Sequence, residues 1–318
     1  MRFVVPVVGK AVALLALAAP ALAQDAAEWL ERMNQAVDTL NYRGTFVHVL
    51  GGATETLKIV HRNAEGQSGE RILSLDGAGR EIVRQGEEVQ GILPDRRVVL
   101  LETRRDVSPL VSALPSSSAA LEPHYAIELG GTVRVADRAA QVLEINPRDE
   151  FRYGYTLWLD RETAMPLQSQ LVDEQGQIVE QILFTEIEVP ADVGREELKP
   201  TIDTRGFTVL RARDSAALAE EIPWRAANVP GGFRLSVATH SAIAGSDTPV
   251  GHLVYSDGLA TVSVFIEDPR TQAEVVEGFS SVGSTNAFSL TLRGRKVTAI
   301  GEVPRQTVRT IASSLVAE

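Results

Sequence analysis

The sequence predicts a mainly β protein of two units. A long antiparallel meander would curl into a half-open barrel holding helices on its concave face, and a small α+β domain would come after it. Three observations predict this. Short apolar runs alternate with turn residues from Tyr42 to Val189, as in hairpin-joined strands. Helical periodicity is confined to the segment before Tyr42, a short insertion near Leu110 and the last fifteen or so residues. An acidic stretch with no sustained period, 191–223, divides the meander from the second unit.

Residues 1–23 read as a removable signal peptide. Arg2 and Lys10 precede an uncharged run, Ala11–Ala23, that ends in Ala21-Leu22-Ala23. Such a run is short of the roughly 20 residues needed to span a bilayer core. The first helix should begin at Asp25, which stands at capping-box spacing from Glu28, and continue through Leu30, Met33, Val37 and Leu40. Strands are expected at Tyr42–Leu50, Thr56–His61, Arg71–Leu75, Glu81–Val83, Arg97–Glu102, Thr132–Val135, Ala140–Ile145, Tyr155–Asp160, Leu167–Val172 and Ile178–Val189. Gly51-Gly52, Asp76-Gly77, Gly130-Gly131 and Asn146-Pro147 are read as turns between them. Ser108-Pro109 would cap a short inserted helix bearing Leu110, Val111 and Leu114. A sheet of about ten strands must curl or split, and the helices would sit in its hollow. The second unit, 224–318, carries strands at Phe233–His240, Gly251–Tyr255, Ala260–Glu267, Ser289–Arg293 and Lys296–Val303. A closing helix begins near Pro304, with Val308, Ile311, Ala312 and Leu315 on one face.

Composition excludes several classes. There is no Cys, hence no disulfide, thiolate metal site or cysteine nucleophile. The formal charge of −11 opposes nucleic-acid binding, because its long-range field repels phosphate. Neither a G-x-S-x-G elbow, an H-E-x-x-H zinc motif nor a phosphate-binding loop occurs, so no catalytic, metal or cofactor site is assigned. His48, His61, His124, His240 and His252 are scattered in or beside predicted strands without a carboxylate at ligand spacing. Asp160 and Glu162 flank a turn, where solvated roles are the norm.

The positive signal is apolar. Phe46, Leu57, Ile59, Leu157, Trp158, Leu167, Leu171, Ile182 and Phe184 give the curved sheet an oily face. Covered incompletely, that face would leave a cavity able to take acyl chains at about 0.8 kcal/mol per buried CH₂. Covered fully, it is ordinary core.

Several stretches resemble the RseB/MucB family of periplasmic regulators. They are Trp224 with Pro230-Gly231-Gly232-Phe233-Arg234-Leu235, the block from His252 to Phe265 (HLVYSDGLATVSVF), and Gly301-Glu302-Val303-Pro304. Tyr42-Arg43-Gly44-Thr45-Phe46, Glu70–Gly77 and Leu157-Trp158-Leu159-Asp160 are similar to that family too. The resemblance implies a LolA/LolB-like lipid-binding domain at 24–190, an acidic linker at 191–223 and a partner-binding domain at 224–318. It implies a periplasmic protein that binds the periplasmic region of an RseA/MucA-type anti-sigma factor and shields it from site-1 proteolysis. Release by lipid, lipopolysaccharide or lipoprotein acyl chains, and self-association, are implied as well. Within the second domain Trp224, Phe233, His252, Tyr255, Asp257 and Phe265 are the candidate partner contacts, since aromatic side chains with a polar handle anchor interfaces. Two rivals remain: a LolA-like carrier, which has no use for the second domain, and an envelope hydrolase, which needs a cleft gathering the histidines with Asp160 or Glu162.

Overall fold

The structure, a computed structural model, describes residues 19–64, 66–103, 121, 123–211, 222–241, 250–267 and 276–317. The helix inserted near Leu110 lies outside them. Helix α1 spans Ala19–Thr39 and so starts before Asp25. Ala, Leu and Gln are strong helix formers, and Pro20 sits in the first turn, where its missing N–H is not needed. Ala26, Leu30, Met33 and Val37 form its buried stripe.

Twelve strands make one sheet: β1 Tyr42–Leu50, β2 Ala53–Ala64, β3 Gln67–Ser74, β4 Glu81–Gln85, β5 Glu88–Leu93, β6 Val98–Thr103, β7 Tyr125–Val135, β8 Arg138–Pro147, β9 Gly154–Asp160, β10 Pro166–Val172, β11 Ile178–Glu188 and β12 Thr208–Arg211. Their spatial order is β12-β6-β5-β4-β3-β2-β1-β11-β10-β9-β8-β7, so the chain's two half-meanders join along β1 and β11 and, among the described residues, the sheet stays open between β7 and β12. The alternation in the sequence matches this meander, with three differences. Asn146-Pro147 is the end of β8, paired with Ala126 and Tyr125, and not a turn. Gly130-Gly131 is a bulge inside β7 and not a turn, and a Cβ on Gly130 would come within 3.0 Å of Val142. β5 has no apolar alternation strong enough to be expected; it is held by ladders to β4 and β6.

The acidic stretch also differs from a free linker as far as Arg211. Ala191, Val193 and Leu198 are buried with Val60, and a 3-10 turn at Arg195–Leu198 lies between them. The Glu81 carboxylate, fully buried and paired with Arg71, accepts the backbone N–H groups of Thr201 (2.9 Å) and Ile202 (3.1 Å). β12 then pairs parallel with β6. One buried carboxylate and three widely spaced apolar residues leave no periodic trace, which is why the strap reads as unpatterned.

In the second domain β13 (Trp224–Ala226) pairs with β20 (Leu315–Ala317). Six strands form the other sheet: β14 Arg234–Ser241, β15 Val250–Ser256, β16 Thr261–Glu267, β17 Gly278–Val282, β18 Thr285–Leu292 and β19 Arg295–Gly301, in the order β14-β15-β16-β19-β18-β17. Helix α2, Arg305–Ser313, lays Val308, Ile311 and Ala312 on Leu253, Val262, Val264, Val297 and Ala299.

Candidate functional site at the seam of the two domains

The β8–β9 loop carries Arg152 into the second domain. Its side chain is fully buried, as is that of Asp257, and Nη1 donates to Asp257 Oδ2 at 2.6 Å. The guanidinium also donates to Gly231 O at 2.5 Å and through Nε to Asp149 Oδ1 at 3.0 Å. Its flat faces meet Tyr125, 5.3 Å from the ring centre, and Phe233, 5.2 Å. Asp257 is equally occupied. Oδ2 accepts from Tyr125 OH at 3.1 Å, while Oδ1 accepts from the backbone N–H groups of Leu259 (2.9 Å) and Ala260 (2.7 Å). A buried charge pair persists only when its remaining donors and acceptors are met, and here they are. Burial, with Asp257 next, raises the Tyr125 hydroxyl, so Tyr125 stays a donor.

Further contacts extend the seam. Thr307 Oγ1 donates to Phe151 O at 2.7 Å, and Asn286 Nδ2 donates to Tyr153 OH at 2.9 Å. At Gly232 the φ is +88°, and a Cβ there would lie 2.4 Å from the His124 ring. The β1–β2 turn touches the β17–β18 turn: a Cβ on Gly51 would fall 2.4 Å from Gly283 Cα. Nearby, His48 Nε2 and Glu180 Oε1 are 2.7 Å apart, and Ser284 Oγ donates to Glu302 Oε1 at 2.8 Å. Burial, followed by the charge of Glu180, pushes the Glu302 carboxyl up.

The structure distributes the predicted partner contacts unevenly. Asp257 and Phe233 are committed to the seam, 6 % and 3 % exposed, and present no surface to a separate chain in this arrangement. Trp224 is buried in the β13–β20 ladder. Tyr255 faces α2, and its hydroxyl accepts from Ala226 N at 2.6 Å. Only His252 and Phe265 lie on the sheet face turned away from α2, stacked at 4.5 Å and half-buried. Sequence reasoning missed Arg152 altogether, because one Arg in a polar loop carries no signal; its partner, Asp257, stood in the His252–Phe265 block already noticed.

The oily face divides too. Phe46, Leu57, Ile59, Leu157 and Phe184 pack with α1 in one cluster, with Ile182 at its border, and Leu171 is buried opposite Tyr155. Trp158 and Leu167 are corrected: they belong to a separate cluster with Val135 and Ala140 on the other side of the sheet. Leu157 and Trp158 are adjacent in one strand and so point to opposite faces. A bulge between Pro166 and Gln168 shifts Leu167 likewise.

The groups a hydrolase would gather are dispersed. Asp160 is held by Arg138 (2.9 and 3.0 Å) and by Thr163, and although burial opposes it, these partners keep its carboxyl below the usual range. His61 stacks on Tyr42 and bonds Leu40 O. His48 pairs with Glu180.

Fold and seam together define a protein of two β-sheet units whose seam is joined by the buried Arg152–Asp257 pair. The family model "MucB/RseB N-terminal domain" matches residues 25–202, and "MucB/RseB C-terminal domain" matches 219–316. The chain belongs to the MucB/RseB family. It is 36% identical over 305 residues to the sigma factor AlgU regulatory protein MucB of Pseudomonas aeruginosa, covering 94% of this chain and 93% of that protein. It is 28% identical over 294 residues to the sigma-E factor regulatory protein RseB of Salmonella typhimurium, covering 90% and 89%. Among solved structures it is similar to the P. aeruginosa MucA/MucB complex, with a TM-score of 0.75, 33% identity, and coverage of 92% of this chain and 99% of that one. Against a crystal structure of MucB the TM-score is 0.65 at 30% identity, covering 93% and 98%. Among the described residues no helix is long and apolar enough to cross a membrane.

Proposed function

We propose that this chain is a periplasmic regulatory binding protein, exported by a signal peptide at residues 1–23. It holds the periplasmic region of a MucA/RseA-type anti-sigma factor, shields it from site-1 proteolysis, and lets go in response to lipid or lipoprotein signals. The observation that carries this reading is a likeness running through both domains to the MucB of the MucA/MucB complex. The partner-facing residues we assign are His252 and Phe265; Trp224, Tyr255, Phe233 and Asp257 hold the surface in shape from beneath. The lipid limb rests on the apolar face formed by Phe46, Leu57, Ile59, Leu157, Ile182 and Phe184. Because α1 packs on that face, an acyl chain enters by displacing α1.

The test is calorimetric binding of the purified chain to the periplasmic region of MucA, combined with site-1 cleavage of that region. Binding with protection from cleavage is the expected result; absence of either at tens of micromolar overturns the reading. Lysophosphatidylglycerol added to the preformed complex should restore cleavage.

A further inference from the structure

We propose that the outer edge of β17 is a docking edge, where one extended acidic segment of a partner chain adds as a further strand to the second domain's sheet. This rests on the regulator reading and names the place and manner of the contact. β17 ends the order of the six-stranded sheet, and among the described residues no strand pairs with its outer side. The peptide groups along such an edge form a template for another strand. Edges that must stay solitary are blunted by charge, proline or a bulge. β14, the opposite edge, opens with Arg234 and is bulged between Leu235 and Val237, and β12 ends in Arg211. β17 reads Gly-Phe-Ser-Ser-Val and carries none of these devices. It is also unusually apolar for its exposure: Val282 is 81% exposed, and Val276, just before the strand, 85%.

The chemistry of the occupant is set by the charges beside the edge. Phe279 and Ser281 point to the α2 side of the strand, Ser280 and Val282 to the other. Over Phe279 stand two guanidinium groups one helical turn apart on α2, Arg305 at 5.6 Å and Arg309 at 6.0 Å from the ring centre. Arg305 also donates to Ser281 Oγ at 3.2 Å. Among the described residues neither makes an ion pair, in a chain whose formal charge is −11. The nearest carboxylate along the strand, Glu277, is turned to the backbone N–H of Thr291 at 2.8 Å. Two unpaired cations over an aromatic ring, beside a free edge, select carboxylates on an extended chain and reject a basic one. The edge is continuous with the seam, because β17 runs into the turn where Gly283 meets Leu50 and Gly51. A strand seated on β17 therefore reaches the point where the first domain touches the second.

The experiment uses the full chain and, as probe, the periplasmic region of MucA. Charge reversal of both arginines, Arg305→Glu with Arg309→Glu, should weaken binding at least about tenfold and flatten its salt dependence. Both side chains lie on the outer surface of α2, so unchanged circular dichroism and melting are expected. Hydrogen exchange on the unaltered chain should show new protection in residues 278–282 when the probe is bound. Unchanged affinity of the double variant, or no protection at β17, overturns the docking edge while leaving the regulator reading intact; failure of the unaltered chain to bind at all overturns that reading instead. Should sedimentation show a dimer of the unaltered chain that the double variant abolishes, the occupant is a second copy and the proposal falls.

Discussion

Asp257 sits in a turn of the second domain, yet the partners of its Oδ2, Arg152 and Tyr125, lie in the first. Removing its charge leaves Arg152 buried with only the part-exposed Asp149 as a charged partner, close to the circumstance in which loss of one partner costs about 3–5 kcal/mol. Asp257→Asn keeps an oxygen for the Leu259 and Ala260 N–H groups and changes only the atom facing Arg152 and Tyr125. Urea unfolding should place its stability about 3 kcal/mol or more below the parent, whereas Tyr125→Phe, which deletes one hydrogen bond, should lose about 1 kcal/mol. Glu302 answers to pH with the opposite sense from Asp160. Its carboxyl, raised by burial and by Glu180, keeps its proton in the folded chain to a higher pH than in the unfolded one. The stability it contributes is complete below its unfolded value and is lost as pH rises through the folded value. Glu302→Gln retains an acceptor for Ser284 and cannot ionise, so its melting temperature should exceed the parent's at about pH 8 and converge with it near pH 4. Equal melting curves at both pH values would exclude strain at this carboxyl.

At the scale of elements, α1 is the part whose removal the sheet would feel most. Leu30 is fully buried in the cluster that α1 shares with β1, β2 and β9, and Leu30→Ala should cost about 2–5 kcal/mol, read by thermal unfolding, with the spread set by how far the helix can settle into the gap. Much of this layer was legible in advance. Alternation and turn residues placed β1, β9, β10 and β11 nearly to the residue, and Val308, Ile311 and Ala312 marked the inner face of α2. What stayed hidden has a common physical cause: it depends on contacts between residues far apart in the chain. Gly130-Gly131 reads as a turn until Val142 in the neighbouring strand shows why no Cβ fits. Val193 and Leu198 look like isolated apolar residues until Val60 supplies their partner. Trp158 and Leu167 share the composition of Leu157, and only strand parity and a bulge separate them. The candidate site was less legible than the fold, because a residue type suited to gripping a partner is equally suited to joining two domains. Asp257 and Phe233 do the second.

For the molecule as a whole, the proposed lipid response requires that what happens beneath α1 be felt on the second domain. Among the described residues the two regions touch at Arg152 with Asp257 and Gly231, Tyr125 with Asp257, His124 with Gly232, Tyr153 with Asn286, Phe151 with Thr307, and Gly51 with Gly283. A ligand shifts an equilibrium only by its difference in affinity for the two states, and the coupling is reciprocal. If lipid acts by loosening this seam, then breaking the seam chemically should reproduce its effect. The Asp257→Asn chain, folded at about 20 °C, should bind the MucA periplasmic region more weakly than the parent in the absence of lipid, and saturating lysophosphatidylglycerol should weaken it little further. In the parent, lipid should weaken partner binding by the same factor by which partner weakens lipid binding. A variant that keeps the full lipid response would show that the signal bypasses Arg152 and Asp257 and travels instead through the Gly51–Gly283 turn contact, where Gly51→Ala, with its Cβ forced onto Gly283, is the substitution that should abolish it.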